Sequence, residues 1–182
     1  AEAVQDVNEE EGFGDGEEAD FSDNAEAATD VGASIQKSGR LSNTVTWDFY
    51  DNGELVINGT GAVPDMPDGL FTQPWAAFDI TRVKVSDGIS TLGANTFASM
   101  LYLEEVELGK NVKKIGNRVF SGCKKLKKVT IKTTKLTEST VGSNAFSGIS
   151  SGVVVKVPES KVKAYRKLFK KKGISDGATI TK

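Results

Sequence analysis

The sequence predicts an α/β fold: a short repeat solenoid with a parallel β-sheet, an N-terminal β-hairpin cap and a C-terminal helical cap. Three observations predict it: a pattern with a 23-residue period, an Asn-Gly turn between two strand-like runs before it, and an amphipathic helix after it. A fixed period in this range is typical of stacked repeats, because each unit is too small to bury its own apolar face without its neighbours.

The repeats are predicted to occupy residues 80–157. Each copy opens with two aliphatic residues on a short strand and later has a Gly four residues before a Phe; the strand pairs are Val83 and Val85, Val106 and Leu108, Val129 and Ile131, and, in an unfinished fourth copy, Val155 and Val157. Stacking places like residues in rows, so we expect Val83, Val106, Val129 and Val155 on neighbouring rungs. Each buried aliphatic side chain contributes about 1.5–3 kcal/mol.

Residues 1–39 are predicted to be an acidic disordered tail or linker. Residues 1–36 contain twelve acidic residues and no Lys or Arg, and because the formal net charge of the chain is -2, residues 37–182 carry +10. With so much charge and few aromatics, this segment cannot bury enough apolar area to offset roughly 1–2 kcal/mol of backbone entropy per residue.

Residues 40–79 are predicted to form the hairpin cap and a connecting loop. The run 44–50 alternates apolar and polar residues, and Asn52-Gly53 leads into a second strand-like run, which is a strong hairpin signal. The cap is expected to cover the edge of the first repeat. Trp75 and Phe78, which follow the Gly- and Pro-rich loop 59–74, either anchor that loop on the core or form an exposed aromatic patch with Tyr102.

Residues 158–182 are predicted to be a C-terminal capping helix and tail. Pro158-Glu159-Ser160 is a helix-start signal with Ser160 as the candidate cap, and Gly173 marks the end. The apolar positions Val162, Tyr165, Leu168 and Phe169 recur at helical spacing, with basic residues on the other side. This face is either solvated or also binds an anionic polymer or lipid. A short last strand is expected within 174–182.

A candidate binding face follows from strand alternation, which turns every second side chain away from the core. Its residues are Arg82, Lys84, Glu105, Glu107, Lys128, Thr130 and Lys156. Charges alternate in sign from rung to rung, so these residues either pair across the ladder and fix its register or present a face to a partner. The mixed signs argue against nucleic acid, which favours a uniformly basic stripe.

Lysines crowd the second and third repeats, and they suggest a basic face for an anionic polymer, which the acidic tail could also cover. They are Lys110, Lys113, Lys114, Lys124, Lys125, Lys127, Lys128, Lys132 and Lys135.

No catalytic, metal or cofactor site is predicted. Histidine is absent, which removes the commonest general base and metal ligand. The one cysteine, Cys123, occupies an inward repeat position and is expected to be buried and inert. Asp65, Asp68 and Asp79, near Trp75, are the residual enzymatic alternative, without an inferable pairing distance. No run of 18 apolar residues predicts a membrane span, and a start at Ala1 without Met fits a processed secreted protein or a fragment.

The phrase from Val112 to Ile131 resembles the BspA-type leucine-rich repeat. The matching positions are Ile115, Gly116, Phe120, Gly122, Cys123, Leu126, Val129 and Ile131. The resemblance implies a short leucine-rich-repeat solenoid from a secreted or surface protein of gut or oral bacteria. It implies an extracellular protein-protein interaction or adhesion module without catalysis, whose partner is a protein or a cell-surface or matrix ligand. The alternative is a module that binds carbohydrate or cell-wall polymer.

The chain departs from the family pattern in two places. The first copy has Ala98-Ser99-Met100 in place of Ser-Gly-Cys, and the third has three extra residues before Val141. No anchoring motif supports covalent attachment to a cell wall.

Overall fold

The computed structural model of the chain describes residues 32–69 and 72–182. Over these residues it is a parallel β-solenoid with one α-helix. The elements are β1 (Ile35–Arg40), β2 (Val45–Tyr50), β3 (Glu54–Gly59), β4 (Gly61–Ala62), β5 (Arg82–Val85), β6 (Ile89–Leu92), β7 (Glu105–Leu108), β8 (Lys114–Ile115), β9 (Lys128–Ile131), β10 (Val154–Lys156), a 3₁₀ turn (Glu159–Lys161), α1 (Val162–Lys170) and β11 (Thr179–Thr181).

The main sheet has eight strands in the order β1-β2-β3-β5-β7-β9-β10-β11. Strands β1 to β3 form an antiparallel cap, and from β3 onward every neighbour is parallel. Val83 is in register with Val106, Val106 with Val129, and Val129 with Val155, so the predicted row of valines is confirmed. All four side chains are buried.

A second ladder of three short strands, β4-β6-β8, runs along the solenoid beside the main sheet. A bridge from Ile115 to Val141 extends it into the third repeat. It lies where each repeat turns away from its main strand, and it was not predicted from the sequence. Each repeat is therefore joined to its neighbours by backbone hydrogen bonds along two sides.

A continuous aromatic row runs through the core from the N-terminal cap to α1. Its successive ring centroids are 5.9, 5.8, 5.6, 5.5 and 5.1 Å apart, in the order Trp47, Trp75, Phe97, Phe120, Phe146 and Phe169. The three phenylalanines of the repeats stack with interplanar angles of 14° and 25°. Offset or tilted contacts at such distances add about 0.5–1.5 kcal/mol each beyond area burial.

The turn before each repeat Phe requires a left-handed residue. Asn95, Arg118 and Asn144 occupy this position with φ of 58°, 55° and 54°. Asn tolerates positive φ better than Arg does, because its short side chain can hydrogen-bond locally. Ser99, in the copy that departs from the family pattern, keeps the positive φ (59°) that Gly122 adopts one repeat later.

Strand β1 corrects the predicted extent of the acidic tail. Residues 35–39, assigned to the tail, instead form an edge strand on β2, whereas residues 1–31 lie outside the described residues. The strand is held by its backbone ladder and by Gly39, where a Cβ would come within 2.5 Å of the Trp47 ring. Its side chains are mostly exposed, so the apolar pattern gave no signal. A bulge between Ile35 and Lys37 blunts the free edge.

The C-terminal helix and the last strand are confirmed, with a correction at the helix start. Ser160 does not cap α1 but lies within the 3₁₀ turn, which the amide of Lys161 closes by donating to the Pro158 carbonyl at 2.8 Å. Of the predicted apolar positions of α1, Tyr165, Leu168 and Phe169 are buried and Val162 is partly buried against the core.

Helix α1 packs against the lengthened third repeat. The Tyr165 hydroxyl donates to the Thr133 carbonyl at 3.0 Å and accepts from the Leu136 amide at 3.1 Å. Lys171 contacts Glu138 at 2.8 Å. The Lys171 ammonium, first through its hydrogen bond and then through its charge, lowers the pKa of Glu138. The longer third copy therefore has a packing role at this end of the solenoid.

Arg166 covers the outer edge of β11. Thr179 and Thr181 make the backbone bonds toward β10, so the carbonyl of Ile180 between them points away from the sheet. The Arg166 guanidinium donates to that carbonyl at 3.1 Å. The backbone acceptor at the centre of the last strand is thereby satisfied within the chain.

Truncating the middle of the aromatic row should destabilise the whole array. Phe120 is fully buried between Phe97 and Phe146, so Phe120→Ala removes two ring contacts and leaves a cavity. We expect a loss of about 3–5 kcal/mol in the free energy of unfolding, measured by urea titration with circular dichroism. Ile35→Ala, at the exposed edge, is the control and should cost no more than about 0.5 kcal/mol. Equal losses in the two variants would contradict the proposed role of the row.

Candidate interaction face

The seven predicted face residues lie together on the side of the main sheet that faces away from the core, which we call the ladder face. Backbone register places Arg82, Glu105 and Lys128 in one row, and a second row contains Lys84, Glu107, Thr130 and Lys156. All of them except Lys156 line one shallow depression of about 230 Å³. The structure therefore brings the predicted residues together on one open surface.

Two ion pairs run across the ladder face. Glu105 and Lys128, in register on β7 and β9, are 3.2 Å apart, and both side chains are 45% exposed. Glu107 pairs at 2.7 Å with Lys132, which lies just beyond β9 and was not assigned to the face from the sequence. Exposed pairs of this kind contribute about 0.2–1 kcal/mol each, so they add little to the stability of the sheet.

Glu54 also belongs to this face, although it was not predicted from the sequence. It also lines the depression, lies in register with Arg82, and is only 1% exposed. Nearby, burial and then the carboxylates of Asp48 and Glu54 raise the pKa of Tyr50. The alternation of β3 indicates this position, because the residue directly before the inward-facing Leu55 must point outward. The cap end of the ladder face therefore contains a buried carboxylate beside the half-buried Arg82.

The predicted aromatic patch is not an exposed platform. Trp75 is 1% exposed within the aromatic row, Phe78 is half-buried and stacks on Phe49 at 4.7 Å, and only Tyr102 is exposed. The three residues border a depression of about 60 Å³, well below the roughly 300–1,000 Å³ of ligand pockets. The platform hypothesis is wrong for Trp75, because a buried indole contributes far more apolar area to anchoring the loop than an exposed one would.

Two of the three acidic residues considered as an enzymatic alternative, Asp65 and Asp68, hold the connecting loop in place. Asp65 accepts from the Ala94 amide at 2.6 Å, and Asp68 accepts from Asn95 at 2.9 Å and also pairs with Arg118. These contacts fasten the loop to the first and second repeats. Within the described residues, no three His, Cys, Asp or Glu side chains are grouped to hold a metal ion.

The basic face is partly neutralised by neighbouring carboxylates. Among its nine lysines, four form ion pairs with described residues: Lys110 with Asp87 at 3.0 Å, Lys127 with Glu104 at 3.0 Å, Lys128 with Glu105 at 3.2 Å, and Lys132 with Glu107 at 2.7 Å. The pairs break the run of positive charge that an anionic polymer would follow.

In the part of the chain described, no helix has the length and apolar character needed to cross a membrane.

Cys123 is buried in the core, as its repeat position predicts. Its Sγ donates to the Phe97 carbonyl at 3.0 Å, and burial raises the pKa of the thiol to about 12. A nucleophilic cysteine needs a lowered pKa and access to substrate, and this site has neither.

Comparison with known proteins identifies the repeat type. A family model described as the BspA type leucine rich repeat region (6 copies) matches residues 73–179. A leucine-rich repeat protein from Eubacterium ventriosum, solved by crystallography at 2.50 Å, has a similar fold with a TM-score of 0.52 and 22% sequence identity. The alignment covers 80% of this chain but 40% of that protein, so this chain spans less than half of its neighbour's length. No curated protein matches the chain.

The Cys123 thiol should be unreactive in the folded protein. With a pKa of about 12 in the fold against 9.0 for an ordinary thiol, neutral Cys123 favours the folded state, and this contribution should decline as the pH rises above 9.0 toward 12. At pH 8 we expect no modification by a disulfide-exchange reagent without denaturant and one thiol per chain in 6 M guanidinium. Rapid modification of the native protein would contradict this assignment.

Proposed function

Because this chain belongs to the BspA-type leucine-rich repeat family, we propose that it is an extracellular protein-protein interaction or adhesion module with no catalytic activity. The family assignment rests on residues 73–179, which include all three complete repeats. Secretion is part of the proposal, and association with a cell surface would bring the module to its partner. We propose a protein or a cell-surface or matrix ligand as that partner.

The ladder face is the observation that carries this proposal. Its charges alternate in sign at the strand spacing of about 4.8 Å, so a partner with the opposite order of charges could meet several rungs together. Fixed charge patterns of this kind give an interface specificity and register more than raw affinity. The face is open and shallow, which suits another macromolecule better than a small molecule.

Energetics support a binding role beside the structural one. The main sheet is held by its backbone ladders and by buried aliphatic rows, whereas the ion pairs of Glu105 and Glu107 are about half exposed. Losing an exposed pair therefore costs little stability. Substitutions on the ladder face can thus separate binding from folding.

Neutralising the two glutamates of the ladder face should weaken binding while the fold persists. Glu105→Gln with Glu107→Gln keeps side-chain size and removes two ion-paired carboxylates. We expect the affinity for immobilised extracellular-matrix proteins to fall by about tenfold or more, measured by surface plasmon resonance with the full chain. Binding of the same variants is also measured on a second sensor surface that carries purified bacterial cell-wall polysaccharide.

The matched control is Glu104→Gln with Glu138→Gln. It also removes two exposed carboxylates, paired with Lys127 and Lys171, but these lie off the ladder face. Both double variants should lose about 0.4–2 kcal/mol of stability, and only the first should lose binding. Equal binding by both would contradict the assignment of the face, and retention on polysaccharide alone would favour the carbohydrate-binding alternative.

A further inference from the structure

A second surface combines exposed apolar side chains with positive charge. Leu101 and Tyr102 are 49% and 46% exposed on the turn that precedes β7. Lys124 and Lys125 occupy the same two positions one repeat later, 23 residues on, and are also exposed. We call these four residues the shoulder patch. Tyr102 and Leu101 also border the 60 Å³ depression beside Phe78.

The two lysines of the shoulder patch carry charge that the described part of the fold does not neutralise. The Lys125 ammonium lies 4.8 Å from the centre of the Tyr102 ring, and neither Lys124 nor Lys125 forms an ion pair with a described residue. Lys127, by contrast, is paired with Glu104. The shoulder patch therefore suits a segment that offers an aromatic side chain together with carboxylates.

The chain itself contains such a segment. Residues 9–23 place Phe13 and Phe21 among eight acidic residues, and Phe21 has Asp20 and Asp23 beside it. Residues 1–31 carry all twelve acidic residues of the N-terminal stretch and no basic one. Both the charge and the aromatic content thus complement the shoulder patch.

The point at which this segment joins the fold lies at the same end of the sheet as the shoulder patch. The Ser34 amide donates to Asp51 at 3.1 Å, the Gly53 carbonyl on the same turn accepts from the Thr81 amide at 3.0 Å, and the Thr81 carbonyl accepts from the Glu104 amide at 2.8 Å. The beginnings of β1, β5 and β7 therefore lie at the same end of the main sheet. Leu101 and Tyr102 immediately precede β7.

The reach of the segment favours the shoulder patch over the basic helix. Strand β7 is four strand spacings from β1, about 19 Å, whereas β11, beside α1, is seven spacings away, about 34 Å. Phe21 is eleven residues before Gly32. A chain of that length spans about 18 Å as a random coil and about 36 Å fully extended.

We propose that residues 9–23 dock on the shoulder patch of their own chain. The Phe21 ring packs against Leu101 and Tyr102, and the flanking carboxylates lie against Lys124 and Lys125. Asp79 borders the depression from the Phe78 side, so the acidic residues take the lysine side. An intramolecular contact has an effective concentration on the order of millimolar, so weak intrinsic affinity is enough to populate it.

Paramagnetic relaxation in the full chain tests this contact directly. A nitroxide is attached at Ser22→Cys, and the buried native thiol stays unlabelled, as the unsubstituted chain verifies. We expect the amide signals of Leu101, Tyr102, Lys124 and Lys125 to broaden more than those of α1. Raising the salt from 0.1 to 1 M shortens the screening length from about 10 to about 3 Å and should remove the effect.

Matched charge reversals separate the shoulder patch from general attraction between opposite charges. Lys124→Glu with Lys125→Glu should abolish the broadening, and Phe21→Ala should weaken it. Lys163→Glu with Lys167→Glu makes the same charge change on exposed positions of α1 and should leave the broadening intact. Signal dispersion reports folding in each variant.

Three outcomes would overturn the proposal. The first is broadening centred on α1, and the second is broadening that survives reversal of Lys124 and Lys125. The third is broadening of the same size when the nitroxide and the isotope enrichment are on different copies mixed in one sample, which would indicate contact between molecules. Because the shoulder patch and the ladder face are different surfaces, the result does not depend on the binding measurement proposed for Glu105 and Glu107.

Discussion

In-register stacking of units that cannot fold alone is the constraint on which this molecule depends. A repeat of 23 residues contributes a strand to the main sheet, a short segment to the second ladder and one Phe, and it buries them only against equivalent residues of its neighbours. The rows that contain Val106 and Phe120 are therefore continuous through the array. The outward side chains inherit the same spacing, so the geometry of the ladder face follows from the packing of the core behind it.

The parts of the fold that follow from periodicity were predictable from the sequence, because a constant period fixes which residues share a rung. The valine row, the apolar face of α1 and the last strand are of this kind. Strand β1 and the second ladder were not, because they are held by backbone bonds between polar or very short segments. The start of α1 was also misplaced, since a 3₁₀ turn satisfies the backbone where Ser160 was expected to cap it.

Membership of the ladder face was predictable, but its internal pairing was not. Alternation along a strand decides which side chains point outward, and the register then decides which of them are adjacent. The reach of a lysine decides the partner, which is why Glu107 meets Lys132 beyond β9. Burial of Glu54 and Trp75 depends on the cap and the connecting loop, whose paths no periodic pattern encodes.

The hydrogen bond from the Arg166 guanidinium to the Ile180 carbonyl affects whether a strand of another molecule can add to this edge of the sheet. A parallel sheet ending in an unsatisfied strand offers a template onto which another molecule's strand can add, and repeated addition leads to fibres. Here an incoming strand would have to displace a charged hydrogen bond at one end and fit the bulge in β1 at the other. A bonded carbonyl at β11 and a bulge at β1 thus both oppose the addition of a further strand.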